Sequence, residues 1–147
     1  MMASPKAVYQ ICDVGKLQEL RQALEAGADP NSTDGHSNTT CLMAALRRNR
    51  TQMVSLLLSH PEIKINAKNR SGDTALHFAC YWSSPECVKL LLAVPGLELN
   101  ERTNNWGETP VMVAIKRRNT EAVRALTQMP GVDLDARGET LEEFTEE

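Results

Sequence analysis

Apolar residues recur along the chain in short clusters, separated by turns rich in glycine, proline and asparagine. Each cluster is about two helical turns long, and its spacing favours a helix over a strand. The clusters come in pairs, and an extended polar segment follows each pair. This pattern predicts pairs of short helices that are joined by extended loops. Because helices of this length are unstable alone in water, each pair must stack on its neighbours.

One unit of this pattern returns at a nearly constant interval. Thr74 follows Thr40 by 34 residues, and Thr109 follows Thr74 by 35. A first copy, which lacks the opening loop, begins near Val8. Threonine suits the N-cap of a helix because its hydroxyl accepts a backbone N–H. The interval and the caps therefore predict four stacked units, the organisation of a solenoid.

Turn-forming and helix-breaking residues mark the limits of each helix. Residues that tolerate turns separate the two helices of a unit: Gly15, Asn49, Ser83 and Arg118-Asn119. A proline or glycine ends each second helix: Gly27, Pro61, Pro95 and Pro130. Leu91 lies in the second helix of the most regular unit, and we predict that it is fully buried.

The repeated unit resembles the ankyrin repeat. The segment Gly72-Asp73-Thr74-Ala75-Leu76-His77-Phe78-Ala79 matches the signature G-x-T-P-L-H-x-A, with Ala75 in place of proline. Gly27-Ala28-Asp29-Pro30-Asn31 likewise resembles G-A-D-V-N. The resemblance covers residues 5–144 and implies an all-α solenoid of helix-turn-helix units joined by β-hairpin-like loops. It further implies a single domain, 1–147, with these parts: repeats at 5–33, 34–67, 68–102 and 103–136, then a C-terminal cap and acidic tail at 137–147.

Two methionines depart from the ankyrin pattern. Met43 and Met112 stand where the third unit has His77. The family histidine forms hydrogen bonds at its turn, so we expect part of that bonding to be lost in these two units. Gly138-Glu139-Thr140-Leu141 resembles the start of a truncated fifth repeat, and its polar residues suit a terminal cap that faces water.

Composition and charge exclude several functional classes. Five of the 19 acidic residues lie in the last nine positions, and the rest of the chain is only mildly basic. Nucleic-acid binders show a more concentrated basic surface, so we expect no nucleic-acid partner. No apolar run is long enough to cross a membrane, and the start lacks the apolar region of a secretory signal. The four cysteines are therefore expected to be reduced thiols, in the cytoplasm or alternatively in the nucleus.

The sequence contains no recognisable catalytic or metal-binding motif. It has no glycine-rich phosphate loop, no H-E-x-x-H and no G-x-S-x-G. His77, Cys80 and Cys87 lack the compact four-ligand spacing of a closed zinc site. In the ankyrin pattern, the positions of His77 and Cys80 serve packing. We therefore expect no metal, no cofactor and no enzymatic activity.

The ankyrin resemblance implies a concave face that is lined by the ends of the first helices and by the hairpin tips. Here those positions predict an aromatic centre flanked by basic side chains. Tyr, Trp and Arg are the residues most enriched where proteins bind one another. The predicted partner-binding residues are Arg47, Arg48, Arg70, Tyr81, Trp82, Asn105, Trp106, Lys116 and Arg117. The alternative is that Tyr81 and Trp82 fill gaps between repeats while the basic residues form a solvated face.

The expected function is a non-catalytic, monomeric interaction module that binds another protein through this concave face. Its basic flanks and aromatic centre suit an acidic segment with an apolar anchor. One alternative is a small ankyrin-type kinase inhibitor. In that group the first helix of the second repeat is shortened, whereas residues 40–46 predict a full helix. A second alternative is the substrate-recognition fragment of a larger assembly, such as a ubiquitin ligase receptor.

The resemblance also implies a candidate modification site. An asparaginyl hydroxylase acts on ankyrin repeats at an Asn that follows a characteristic set of residues: Leu eight positions before, an acid two before and an aliphatic directly before. Leu92, Glu98 and Leu99 satisfy this pattern for Asn100. The alternative is that the Asn100 side chain only bonds its own hairpin turn, as Asn side chains readily do.

Overall fold

A computed structural model describes residues 4–134, and in this part of the chain all regular secondary structure is helical. The eight helices are α1 Pro5–Val14, α2 Leu17–Glu25, α3 Cys41–Arg47, α4 Thr51–Leu58, α5 Ala75–Trp82, α6 Pro85–Leu92, α7 Pro110–Lys116 and α8 Thr120–Thr127. The loops between pairs are extended, and within the described residues an isolated antiparallel bridge joins Thr33 to Thr40. The predicted all-α fold is confirmed.

Threonine hydroxyls begin three of the four first helices, as predicted. The N–H of Met43 donates to Thr40 Oγ1 at 3.2 Å, and the N–H of Met112 donates to Thr109 Oγ1 at 3.4 Å. Thr74 caps α5 in the same way. Each hydroxyl satisfies an N–H that would have no partner inside the helix, which fixes where the helix starts.

The helices stack in two layers. Helices α1, α3, α5 and α7 contact one another in chain order, and α2, α4, α6 and α8 form the second layer behind them. The core lies between the layers, where Leu57, Leu91 and Leu126 are fully buried. The prediction for Leu91 is therefore confirmed. Consecutive pairs thus build one continuous core, as in a solenoid.

The turns within the pairs use backbone conformations that side chains rarely adopt. Gly15, Asn49 and Arg118 have positive φ angles of 84°, 56° and 54°. At Gly15 a Cβ would also collide with the guanidinium of Arg50, whose Nη2 donates to the Asp13 carbonyl at 2.9 Å. Glycine is thus favoured here, because it adopts a positive φ without strain and leaves room for the Arg50 side chain of the next pair.

Asparagine side chains tie each hairpin loop to the next one. Asn100 Nδ2 donates to the Gly131 carbonyl at 2.9 Å, and the N–H of Asp133 donates to Asn100 Oδ1 at 2.7 Å. Asn31 and Asn66 form the same pair of bonds with the loops that follow them. The alternative interpretation, that Asn100 only bonds its own turn, is therefore wrong. Its amide instead joins two loops that are about one repeat apart.

Met43 keeps one of the hydrogen bonds of the turn and lacks another, in agreement with the expected partial loss. The Thr40 N–H donates to Met43 Sδ at 3.5 Å, in the position where the Thr74 N–H donates to His77 Nδ1 at 3.1 Å. Methionine has no second hydrogen-bonding atom that could match the Nε2 atom of the histidine ring. His77 Nε2 donates to the Glu108 carbonyl at 2.8 Å and so links the third pair to the fourth. The predicted cap and acidic tail lie outside the described residues.

Candidate partner-binding groove

The large apolar side chains that are exposed in the described residues all lie on the predicted concave face. They are Val14, Tyr81, Trp82 and Trp106, with exposed fractions of 59%, 41%, 47% and 76%. Val14, Tyr81 and Trp82 end first helices, and Trp106 lies in the loop before α7. Tyr81 and Trp82 are thus too exposed to act only as fillers between pairs, although part of each ring is covered.

A groove of about 540 Å³ brings the aromatic residues together with two of the predicted basic residues. We call it the aromatic groove, and its lining residues are Asp73, His77, Phe78, Tyr81, Trp82, Trp106, Glu108, Val113, Lys116 and Arg117. It lies between α5 and α7, with the loop before α7 at one end. Five of the nine predicted residues therefore share one site: Tyr81, Trp82, Trp106, Lys116 and Arg117.

Basic side chains contact the rings of the aromatic groove. The Arg117 guanidinium lies 4.1 Å from the centre of the Tyr81 ring, and that ring lies 4.5 Å from the ring of Trp82. Lys116 Nζ lies 5.9 Å from the centre of the Trp106 ring. The same ammonium pairs with Glu108 Oε2 at 2.6 Å. These contacts pack basic side chains against the exposed rings.

Two carboxylates in this groove were not anticipated. Asp73 and Glu108 are the residues before the caps Thr74 and Thr109, and both line the groove. Among the described residues no cation lies within ion-pair distance of Asp73. Burial raises the pKa of the Asp73 carboxyl above its ordinary value, against the lowering effects of His77 and Asn69. The sequence gives no signal for this role, because Asp73 occupies a variable position of the repeat signature.

Arg47 and Arg48 lie outside the aromatic groove and are engaged within the protein. Arg47 Nη2 donates to Asp13 Oδ1 at 3.2 Å and to Tyr9 Oη at 3.0 Å. Arg48 Nε lies 3.5 Å from the same Asp13 oxygen. Burial raises the pKa of the Tyr9 phenol, although Arg47 acts in the opposite direction. We call these four residues the N-terminal clamp, because they tie α1 to the end of α3.

The two remaining predicted residues lie on the hairpin loops. Arg70 and Asn105 are exposed, and neither lines the aromatic groove. The backbone of Arg70 is fixed on both sides: its N–H donates to the Ser37 carbonyl at 2.9 Å, and its carbonyl accepts from Asn104 Nδ2 at 2.9 Å. Arg70 therefore has a defined place on the loop surface, away from the rings.

The chemistry of the cysteines is that of packing residues. All four cysteines are buried as free thiols. Burial raises the pKa of the Cys80 thiol well above its usual range, which keeps it protonated and unreactive. Within residues 4–134, no three His, Cys, Asp or Glu side chains come together as metal ligands. The same residues contain no helix that is long and apolar enough to span a membrane.

Several curated proteins are similar to this chain. The nuclear factor NF-kappa-B p105 subunit of Gallus gallus is 30% identical over 119 residues, which is 80% of this chain and 12% of that protein. The B-cell lymphoma 3 protein homolog of Mus musculus is 34% identical over 115 residues, 76% of this chain and 24% of that protein. The probable E3 ubiquitin-protein ligase XBOS33 of Oryza sativa subsp. japonica is 38% identical over 89 residues, which is 59% of this chain and 17% of that protein.

This chain spans only an eighth to a quarter of the length of these relatives, at 12%, 24% and 17%. Family models give a consistent assignment over most of its residues. The model for ankyrin repeats in three copies matches residues 8–103, and the model for a further ankyrin repeat matches residues 106–139. Ankyrin repeats are protein-interaction modules, and this chain belongs to the ankyrin repeat family.

Proposed function

We propose that this chain is a non-catalytic module that binds a partner protein through the aromatic groove of its concave face. The observation that carries the proposal is the position of the exposed rings. Tyr81, Trp82 and Trp106 are exposed and share one groove, whereas other large apolar side chains of the described core are covered. An exposed cluster of aromatic side chains is costly in water unless a partner covers it.

The groove is suited to binding because its rings already contact neighbouring side chains of this chain. Arg117 and Lys116 already contact the rings of Tyr81 and Trp106. A partner that meets fixed side chains loses less conformational entropy on the module side of the interface. The groove volume of about 540 Å³ falls in the range of sites that enclose a compact apolar group.

The partner segment that we propose is acidic and carries an apolar anchor. The anchor would lie between Trp82 and Trp106. Among the described residues no carboxylate pairs with Arg117, whose guanidinium lies over the Tyr81 ring. An acidic side chain of the partner could therefore bond Arg117 without displacing an internal ion pair. Arg70 and Asn105 would contact the partner only at the edge, and Arg47 and Arg48 would act through the N-terminal clamp.

A second candidate is the recognition part of a larger assembly. The similarity to a probable E3 ubiquitin-protein ligase favours it, since this chain matches 17% of that protein. In such an assembly the groove would bind the substrate and another region would act on it. The kinase-inhibitor alternative gains no support, because α3 has 7 residues, the same length as α7.

The module is further proposed to be a monomer of the cytoplasm or the nucleus, with Asn100 as a candidate for hydroxylation. The buried free thiols suit a reducing compartment. Asn100 would have to give up its bonds to Gly131 and Asp133 in order to enter an enzyme active site. Incubation with an asparaginyl hydroxylase followed by peptide mass spectrometry tests this modification, and an unmodified Asn100 peptide would contradict it.

A comparative pull-down tests the main proposal. Wild type, Trp82→Ala/Trp106→Ala and the surface control Gln18→Ala would each be used as bait, with bound proteins quantified by mass spectrometry. We expect proteins that wild type and the control capture to be lost with the double variant. Gln18 is exposed on α2, in the second layer of helices. Equal capture by all three baits would contradict the groove as the binding site.

A further inference from the structure

The aromatic groove has charges of opposite sign at its two ends. Asp73 directly precedes the N-cap of α5, whereas Tyr81 and Trp82 are the last two residues of that helix. Arg117 caps the C-terminus of α7, and its guanidinium lies over Tyr81. Because all four residues line the groove, it runs along α5 from the Asp73 end to the Arg117 end.

The Asp73 end has an excess of negative charge. Its two carboxylates are Asp73 and Glu108, and its cation is the ammonium of Lys116, which Glu108 holds at 2.6 Å. His77 adds no charge, because burial lowers its pKa and both of its ring nitrogens are engaged in hydrogen bonds. Asp73 therefore remains as a carboxylate without a cationic partner in the described part of the chain, in a half-buried position.

The chain itself shows that this end accepts an ammonium group. Lys116 extends back along α7, over eight residues, to reach Glu108 near the start of the helix. Its Nζ lies 5.9 Å from the centre of the Trp106 ring, within range of a cation–π contact. A carboxylate and an aromatic face thus already hold one cation at this end. Asp73 offers the same combination to a second cation.

We infer that the groove binds a partner segment with a Lys or Arg on one side of its apolar anchor and an acid on the other. This inference rests on the proposed function and names the partner's chemistry more closely. The basic residue pairs with Asp73, the anchor lies on Trp82 and Trp106, and the acid pairs with Arg117. The segment therefore binds in one direction, with its basic end toward the hairpin loops.

The spacing of the two charges in the partner follows from the length of α5. Helix α5, Ala75–Trp82, rises about 10 Å at 1.5 Å per residue, and Asp73 lies two residues before it, so the two charged ends are about 13 Å apart. An extended peptide covers about 3.3 Å per residue, so the basic and acidic residues should be about four positions apart. Burial of both charge pairs against the rings would favour this arrangement over the reversed one, since reversal places like charges together.

Display selection with random peptides tests the inference without a known partner. The libraries would be selected on four purified proteins: wild type, Asp73→Asn, Trp82→Ala/Trp106→Ala and the matched control Glu86→Gln. The control is an exposed acid-to-amide change on α6. On wild type and on the control we expect enrichment of Lys or Arg about four positions from an acid, with an apolar residue between them. On Asp73→Asn we expect the apolar residue and the acid to persist while the preference for Lys or Arg disappears.

Synthetic peptides give the quantitative form of the same test. An enriched peptide should bind Asp73→Asn about tenfold more weakly than wild type, because a charged hydrogen-bond partner is removed. A peptide with its acid and base exchanged should also bind more weakly. Asparagine keeps the size of the side chain and an acceptor oxygen, and circular dichroism confirms that the variant is folded.

The outcomes separate this inference from the proposed function. If apolar anchors are enriched without a basic residue, or if Asp73→Asn selects the same basic residues as wild type, the inference is overturned and the groove function stands. If no sequence is enriched, or if Trp82→Ala/Trp106→Ala selects the same peptides as wild type, both are overturned.

Discussion

The two halves of the predicted concave face use the same structural positions in opposite ways. Near the ends of the first helices α1 and α3, Asp13 and Arg47 pair with each other at 3.2 Å. Helix α5 ends in Tyr81 and Trp82, which remain exposed beside Arg117 of the α7 cap. In the N-terminal half, the charged side chains near the helix ends form ion pairs with one another. In the C-terminal half they leave an aromatic surface exposed.

This difference shows that a position at a helix end does not by itself define a binding residue. Whether such a residue is available to a partner depends on the side chain that faces it from the neighbouring helix. An arginine that faces Asp13 is engaged in an internal ion pair, whereas Arg117 faces a tyrosine ring and keeps its hydrogen-bonding capacity. The N-terminal clamp is therefore expected to contribute to stability, and the aromatic groove to binding.

A substitution in the core that both halves share should lower the stability of the whole domain, and so should affect the clamp and the groove alike. Leu91 is fully buried between the two layers. Leu91→Ala should lower the free energy of unfolding by about 2–5 kcal/mol, as truncation of a buried leucine does. Urea denaturation followed by circular dichroism measures the change, and a loss below about 1 kcal/mol would mean that α6 is oriented incorrectly.

The His77 link between the third and fourth pairs should make the stability of the C-terminal half pH-dependent. Burial lowers the His77 pKa in the folded state, so the unfolded chain binds more protons at pH values just below about 6.5. Stability should therefore fall as the pH is lowered through this range, by at most about 1.4 kcal/mol per pH unit.

The variant His77→Met tests this dependence, because methionine is the residue that the second and fourth units already carry. The variant should lose the bond to the Glu108 carbonyl, at a cost of about 0.5–1.5 kcal/mol near neutral pH. It should also show a smaller loss of stability on acidification than wild type. Urea melts near neutral pH and in mild acid measure both effects, and an unchanged pH response would contradict the role of His77.

Breaking the N-terminal clamp should affect stability while leaving binding intact. Asp13→Asn removes the charge that Arg47 and Arg48 share. These pairs are partly exposed, so we expect a loss of no more than about 1 kcal/mol that shrinks as salt is added. Thermal melts at low and high salt measure it, with Glu121→Gln as the control for an exposed pair with Arg124 on the second layer. If salt changed the stability of both variants equally, the clamp would be no more than an ordinary exposed ion pair.

The smallest effect on stability is expected in the aromatic groove. Trp106 is 76% exposed and lies in a loop, so little apolar area is lost to water when it is truncated. Trp106→Ala should change the free energy of unfolding by less than about 0.5 kcal/mol. Urea denaturation beside Leu91→Ala measures the contrast, and a loss above about 2 kcal/mol would indicate that Trp106 is a core residue rather than a binding residue.

The parts of the molecule that the sequence predicted depend on local or strictly periodic signals. The interval between Thr40, Thr74 and Thr109 was enough to place the first helices, and the apolar spacing was enough to bury Leu91. The clamp was not predictable, because it joins Asp13 to arginines more than 30 residues away whose register depends on the stacking of two pairs. The place of Asp73 in the groove likewise requires the fold.

The hydrogen bonds of the loops show the same limit. The sequence marked Asn100 as a residue that bonds a turn, which is a local preference of asparagine. In the structure it bonds residues 31 and 33 positions later. Met43 was expected to lose part of the histidine's bonding, and the structure shows that its sulfur is what accepts the Thr40 N–H. The Asn100 bonds depend on where stacked units bring distant atoms together, whereas the Met43 contact is local to its helix cap.

Isothermal titration of two double variants with one display-enriched peptide tests the central claim most directly. The groove variant is Trp82→Ala/Trp106→Ala and the clamp variant is Arg47→Ala/Arg48→Ala, each checked for folding by circular dichroism. Because buried aromatic residues dominate the energetics of interfaces, the groove variant should bind at least about thirtyfold more weakly than wild type. The clamp variant should bind within about threefold of wild type. A larger loss for the clamp variant than for the groove variant would contradict the division of the concave face into a structural half and a binding half.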